Sequence, residues 1–201
     1  MRFDELTELI SRQLQIADLK DSVRIFSEDF SVFVAGPYVK PDHPEDDANT
    51  ASAGATARFR IIKDLQLKNM AVYLGEDNRL RDGGDSIYGP VNNAVVYERN
   101  YITNHVDAVI LLPCSVGSFC EFGDWAPDEN ICKKALIVIE KKYKDKKSYF
   151  SEGPTRFAEI NGAKIVYIDY ADYSDIMEAA SSFINIIQSK KRVRVLYGRD
   201  R

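Results

Sequence analysis

What these 201 residues lack narrows their chemistry before any motif is considered. No apolar stretch approaches the roughly 20 residues that a membrane-spanning helix needs, and the opening MRFDELTELISRQLQ has no signal-peptide core. A cytoplasmic protein without a membrane partner is therefore expected. Cysteine is scarce: Cys114, Cys120 and Cys132 form an odd set with no CxxC pair, which argues against a disulfide frame or a zinc knuckle and leaves buried thiols. The two histidines, His43 and His105, have no Cys or His at ligand spacing, so no metal site and no cofactor is expected. Charge of one sign is also lacking, with a net charge of only −4, which gives no reason to expect broad nucleic-acid binding. Phosphate-bearing small molecules remain open through local arginines.

The chain is long enough to bury a good core as one domain, and its hydrophobic runs are short and regularly placed. Phe3, Leu6, Leu9, Ile10 and Leu14 recur at helical spacing and predict an N-terminal amphipathic helix within an extension over residues 1–29. SVFVAGPY reads as a buried strand ending in a turn, followed by the polar loop VKPDHPEDDANT. A helix is expected over TASAGATARFRIIKDLQL and a second strand in MAVYLGE. The glycine-rich, charged segment from Asp77 to Asn93 reads as a mobile loop over a site. NAVVYERNYITNHV then reads as a helix and DAVILLPCS as a strand. A short helix over Phe119 to Ala126 should stop before Pro127. KALIVIE and AKIVYIDY supply two more strands, and SDIMEAASSFINIIQSKK a closing amphipathic helix with basic residues at its end.

Continuous apolar strands alternating with helices predict a doubly wound α/β domain over residues 30–190. It would carry a mostly parallel five-stranded sheet covered on both faces, with a basic tail over 191–201. Such sheets bind ligands at the carboxyl ends of their strands, which places the site in the loops after VFVA, AVYL and AVILL. Within PCSVGSFCEFG, Ser118 and Glu121 fit a capping box, with Ser118 as N-cap. The same location also lets Glu121 face a ligand at the helix N-terminus, and both readings stand on the residues alone. The functional one has a chemical use, because a carboxylate stabilises or captures the oxocarbenium-like centre formed when a sugar loses its base.

VFVAGPY, DAVILLPCSVGSFCEFGDWA and KALIVIEKKY together resemble the nucleoside 2-deoxyribosyltransferase-like superfamily, with its strand, Gly-Ser turn and Glu-x-Gly helix start. The likeness spans Phe33 to Asp169. From Asp107 through DENICKKALIVIEKKYKDKKSYFSEGPTRF the chain is similar to the deoxyribosyltransferase-like effectors of bacterial retron antiphage systems. The resemblance implies a flavodoxin-like fold and cleavage or transfer at an N-glycosidic bond, with Glu121 at the nucleophile position. It also implies an acidic residue in the helix before the third strand, some eight residues before the strand's Asp. Arg99 falls at that spacing and Glu98 one residue earlier, so Glu98 is taken as the second catalytic acid.

Gly36, Pro37 and Tyr38 at the mouth of the first strand, and Gly117, Ser118 and Asp124 around the Gly-Ser turn, are the expected substrate-binding residues. Asp124 could support Glu121 from the same side of the helix. Asp107 reads as a structural cap at the far end of its strand, and Trp125 as core. Arg58 and Arg60 project to different faces, so one could bind a nucleotide phosphate while the other meets solvent. KKRVRVLYGRDR is basic enough to contact nucleic acid or an acidic partner. The expected ligand is a nucleoside, nucleotide or NAD-like molecule, and a homo-oligomer is expected. A defence-system partner such as a reverse transcriptase, its non-coding RNA or a sensor protein follows from the resemblance. The competing reading is a non-catalytic nucleotide sensor signalling to a partner.

Overall fold

Residues 30–46 and 51–197 are described by a computed structural model. The apolar runs pair into one sheet: β1 (Ser31–Ala35), β2 (Ala71–Tyr73), β3 (Ala108–Leu111), β4 (Ala135–Glu140) and β5 (Lys164–Ile168). All four pairings are parallel and the order is β2-β1-β3-β4-β5. This is the doubly wound arrangement of flavodoxin-like sheets, which reverses direction between β1 and β3.

Alternation along each strand builds two apolar layers. Val32, Val34, Ile110 and Leu112 join Phe59, Ile62 and Leu65 of α1 (Ala53–Leu67), and Ile176, Ala180 and Phe183 of the closing helix, on one face. Phe33, Ala35, Val109 and Leu111 face the other way, against Ile102 of α3 (Ala94–His105) and Phe122 and Trp125 of α4 (Val116–Trp125). Two short helices, α5 (Glu129–Cys132) and α6 (Arg156–Ile160), complete that second layer. Trp125 is core, its ring edge-on to Phe33 at 6.0 Å.

Asp107 holds the amino end of the sheet. Its carboxylate accepts from the Ser31 backbone N–H (2.9 Å) and hydroxyl (3.2 Å) and pairs with Lys191 (2.8 Å). That carboxylate would be costly to bury without such partners. The expected structural role is the one observed.

Two expectations are corrected. The segment from Asp77 to Asn93 is not a loop: it forms α2 (Asn78–Tyr88) and a 3₁₀ turn over Gly89–Val91. Its glycines and charges lie on a helix that is anchored by one buried apolar side chain, Leu80, in the second layer. The Asn92 amide also fastens it, donating to Asp85 (2.8 Å) and to the Arg81 carbonyl (3.4 Å). The closing helix α7 runs unbroken over Tyr173–Leu196 and carries the basic residues from Lys190 to Arg194. The cysteines are not uniformly buried either: Cys132 is, Cys114 is half-buried and Cys120 is exposed. The N-terminal helix expected from Phe3 to Leu14 lies outside the described residues.

Candidate active site

At the carboxyl ends of β1, β2 and β3 the structure gathers Glu76, Glu98 and Glu121 around Arg58. The arginine is the organising charge. Although it sits on α1 among apolar residues, it is 1% exposed and every donor it uses is matched. Nε and Nη2 donate to the Val34 carbonyl (3.3 and 2.8 Å), and Nη1 donates to that of Pro37 (2.8 Å). Nη1 and Nη2 also grip the two oxygens of Glu76 at 2.5 and 2.8 Å. A bidentate fork of this kind fixes geometry as well as charge. Arg58 thereby ties the end of β1 to the turn after β2. It is committed to these partners, while Arg60 pairs with Glu45 at the surface, so neither arginine stands free for a phosphate in this arrangement.

Gly36 follows β1 with φ +153°, in a region that only glycine occupies readily. A Cβ there would press on the Arg58 side chain and on the Leu112 carbonyl. Pro37 is buried with its carbonyl on Arg58. Tyr38 is 62% exposed at the rim.

Helix phase settles which neighbour on α3 enters the site. Glu98 turns inward and is buried, with its carboxylate against the backbone of Gly75, where a Cβ would collide with Oε1. Arg99, one residue on and so about 100° around the helix, points away and bridges Asp124 (3.0 Å) and Asp128 (2.7 Å). Asp124 is thus engaged with Arg99 rather than supporting Glu121.

The turn after β3 also differs from expectation. The N-cap of α4 is Ser115, not Ser118: its hydroxyl accepts from the Ser118 N–H (3.3 Å), and the Ser118 hydroxyl accepts from the Ser115 N–H (2.9 Å). Ser118 Oγ additionally accepts from Cys114 N–H (3.0 Å) and donates to the Ser115 carbonyl (3.0 Å). That hydroxyl is absorbed in shaping the turn. The capping-box reading of Glu121 therefore fails, since a serine-serine pair three residues earlier does the capping. Glu121 is the sixth residue of α4, one turn further in. Gly117 lies exposed at the helix start, where an added Cβ would meet open space.

Without a capping role, Glu121 is left in a costly state. One carboxylate oxygen, Oε2, is buried with no hydrogen-bond partner among the described residues, and such groups call for an explanation. Burial pushes its pKa up to about 7; Arg58 opposes the rise and Glu76 adds to it. Glu98 is raised to about 8, by burial first and then by the negative charges of Glu121 and Glu76. Two carboxyl groups that exchange protons near neutrality can act as an acid and a base, the pattern expected of a catalytic pair. Glu76 was not anticipated from the sequence. Its one signal was its place at the carboxyl end of a three-residue strand, and its role emerges only once Arg58 is seen to turn inward.

A parallel sheet in this order, with carboxylates gathered at its point of reversal, defines a doubly wound α/β protein, and such folds bind their ligands at that point. The chain belongs to the STM3845 retron effector protein family, whose pattern it matches over residues 56–197. It is also similar to a retron Ec86 protein of Escherichia coli whose name carries the provisional description ribosyltransferase/DNA-binding protein. The two are 27% identical over 112 residues, 56% of this chain and 36% of that relative. The match thus spans about a third of the relative's length.

Proposed function

We propose that the crevice is an N-glycosidase site, cleaving or transferring at the bond between a sugar and its base in a nucleoside, nucleotide or dinucleotide. In this reading the chain is the antiphage effector of its retron. The observation that carries it is the buried Oε2 of Glu121, unpartnered among the described residues and close enough to Glu98 for its charge to raise that carboxyl's pKa. The name of the Ec86 relative agrees with glycosyl transfer. In this reading the exposed Tyr38 and Gly117, which follow β1 and β3, would meet the sugar or base.

The chemistry follows from the two pKa values. Glu98, raised further than Glu121, is the group that keeps its proton while Glu121 ionises. As the C1′–N bond breaks, its electron pair leaves with the base, which takes the Glu98 proton. The Glu121 carboxylate stabilises the developing oxocarbenium centre or bonds to C1′. Water or a second acceptor then attacks C1′ and returns a proton to Glu98, releasing Glu121. With water the outcome is hydrolysis; with another base or hydroxyl it is transfer.

The test is incubation with a panel of nucleosides, nucleotides and NAD, followed by chromatography for released base. Release from at least one member, growing with time and enzyme, is expected. Binding without release would instead make the crevice a sensor and reject the enzymatic reading.

A further inference from the structure

At the opposite, amino end of the sheet lies a cavity of about 1040 Å³, and it is strongly basic. Lys133 and Lys134 line one side, Lys190, Lys191 and Arg194 of α7 the other, and Asp107 is the single carboxylate among the lining residues. Five cations facing one acid stand out in a chain whose net charge is −4. Overall charge averages this asymmetry away, whereas a local field acts on a ligand directly.

The cations are not equivalent. Lys134 donates to the Thr103 and Val106 carbonyls (3.1 and 2.9 Å), and Lys191 is paired with Asp107. Lys133 pairs with Glu129 at the surface, at 2.7 Å. Lys190 and Arg194 are exposed, and no hydrogen bond or ion pair holds either among the described residues. They stand one helical turn apart on the same side of α7, about 6 Å along the axis. That is close to two phosphate steps of a nucleic-acid strand at about 3.4 Å each. The amides of Asn104 and Asn130 add donors and acceptors suited to sugar and phosphate oxygens. Among the described residues no aromatic side chain lines the cleft to offer a base a stacking surface.

We propose that this cleft binds the phosphodiester backbone of a nucleic acid, independently of sequence, on the face opposite the candidate active site. Lys190 and Arg194 are the primary contacts, with Lys133 recruited from its exposed pair. Because the binding is electrostatic, it weakens steeply with salt.

Fluorescence anisotropy of the full chain with labelled single-stranded DNA, single-stranded RNA and duplex DNA of mixed sequence tests this. Binding by at least one of the three at low salt is expected, falling linearly on a log scale as salt rises. The Lys190→Glu/Arg194→Glu pair should lower affinity at least tenfold and flatten the salt slope by about two charges. The Lys190→Arg variant should bind as the parent does, and melting temperatures of all three proteins should agree within a few degrees. The strand type that binds most tightly identifies the natural source. Failure of all three nucleic acids to bind would overturn the proposal. So would affinity unchanged in the double Glu variant, or a poly-glutamate peptide binding as tightly as the nucleic acids, which would assign the cleft to an acidic protein.

Discussion

Replacing Glu121 by Gln should cut base release by at least about a thousandfold while leaving the protein folded. The amide is nearly isosteric, but it neither bonds to C1′ nor carries the charge that stabilises an oxocarbenium centre, and losses of such groups are typically of this order. Stability should not fall, because the carboxylate caps nothing: the α4 cap is the Ser115–Ser118 pair. A carboxyl group whose pKa is raised by burial destabilises the fold once it ionises, so at pH 8 the Gln variant should melt at the same or a higher temperature. Ser115→Ala is the control with the opposite signature, costing about 1 kcal/mol of stability as a lost N-cap does with a much smaller effect on turnover. Melting curves and base release measured on both variants separate the two roles. Activity surviving in Glu121→Gln would remove Glu121 from the chemistry.

Glu98→Gln should act on both rate and pH dependence. With the parent protein, kcat/KM should rise as Glu121 ionises through about 7 and fall as Glu98 loses its proton through about 8, a narrow bell centred near pH 7.5. The Gln variant has no proton to give the departing base. Its rate should drop by roughly 10²–10⁴, and the alkaline limb should vanish. Stability moves the other way. The native Glu98 pKa lies above the unfolded value of 4.5, so the folded state binds the extra proton between these limits and the parent loses stability as pH rises from 4.5 to 8. Removing the carboxylate should recover on the order of 4 kcal/mol at pH 8 and almost nothing at pH 4. A parent profile that stays flat from pH 6 to 9 would exclude the proposed division of labour.

The strands SVFVA, AVILL and ALIVIE were legible because a parallel sheet buried on both faces demands continuous apolar runs, and their β-branched content and bounding turns favour strands. The register of charges around them was less legible. A serine three residues before Glu121 looks like an N-cap, yet another serine three residues earlier caps the helix, and only the backbone geometry tells the two patterns apart. Helix phase likewise decides between Glu98 and Arg99, since one residue moves a side chain a quarter turn or more. Arg58 and Glu76 form a long-range pair across 18 residues, and nothing local to either marks the other. The α2 helix was hidden because its stability comes from one leucine and a neighbouring helix rather than from its own composition.

The most direct measurement is a carbon-13 NMR titration of the glutamate side-chain carboxyls, with Glu98→Gln and Glu121→Gln used to assign the signals. Two carboxyl groups titrating near pH 7 and 8 are expected, each lost in one variant, and the Glu98 signal should move to lower pH in Glu121→Gln, where the neighbouring charge that raises it is gone. Both groups titrating near 4.5, as ordinary exposed glutamates do, would contradict a buried acid–base pair and the glycosidic chemistry built on it.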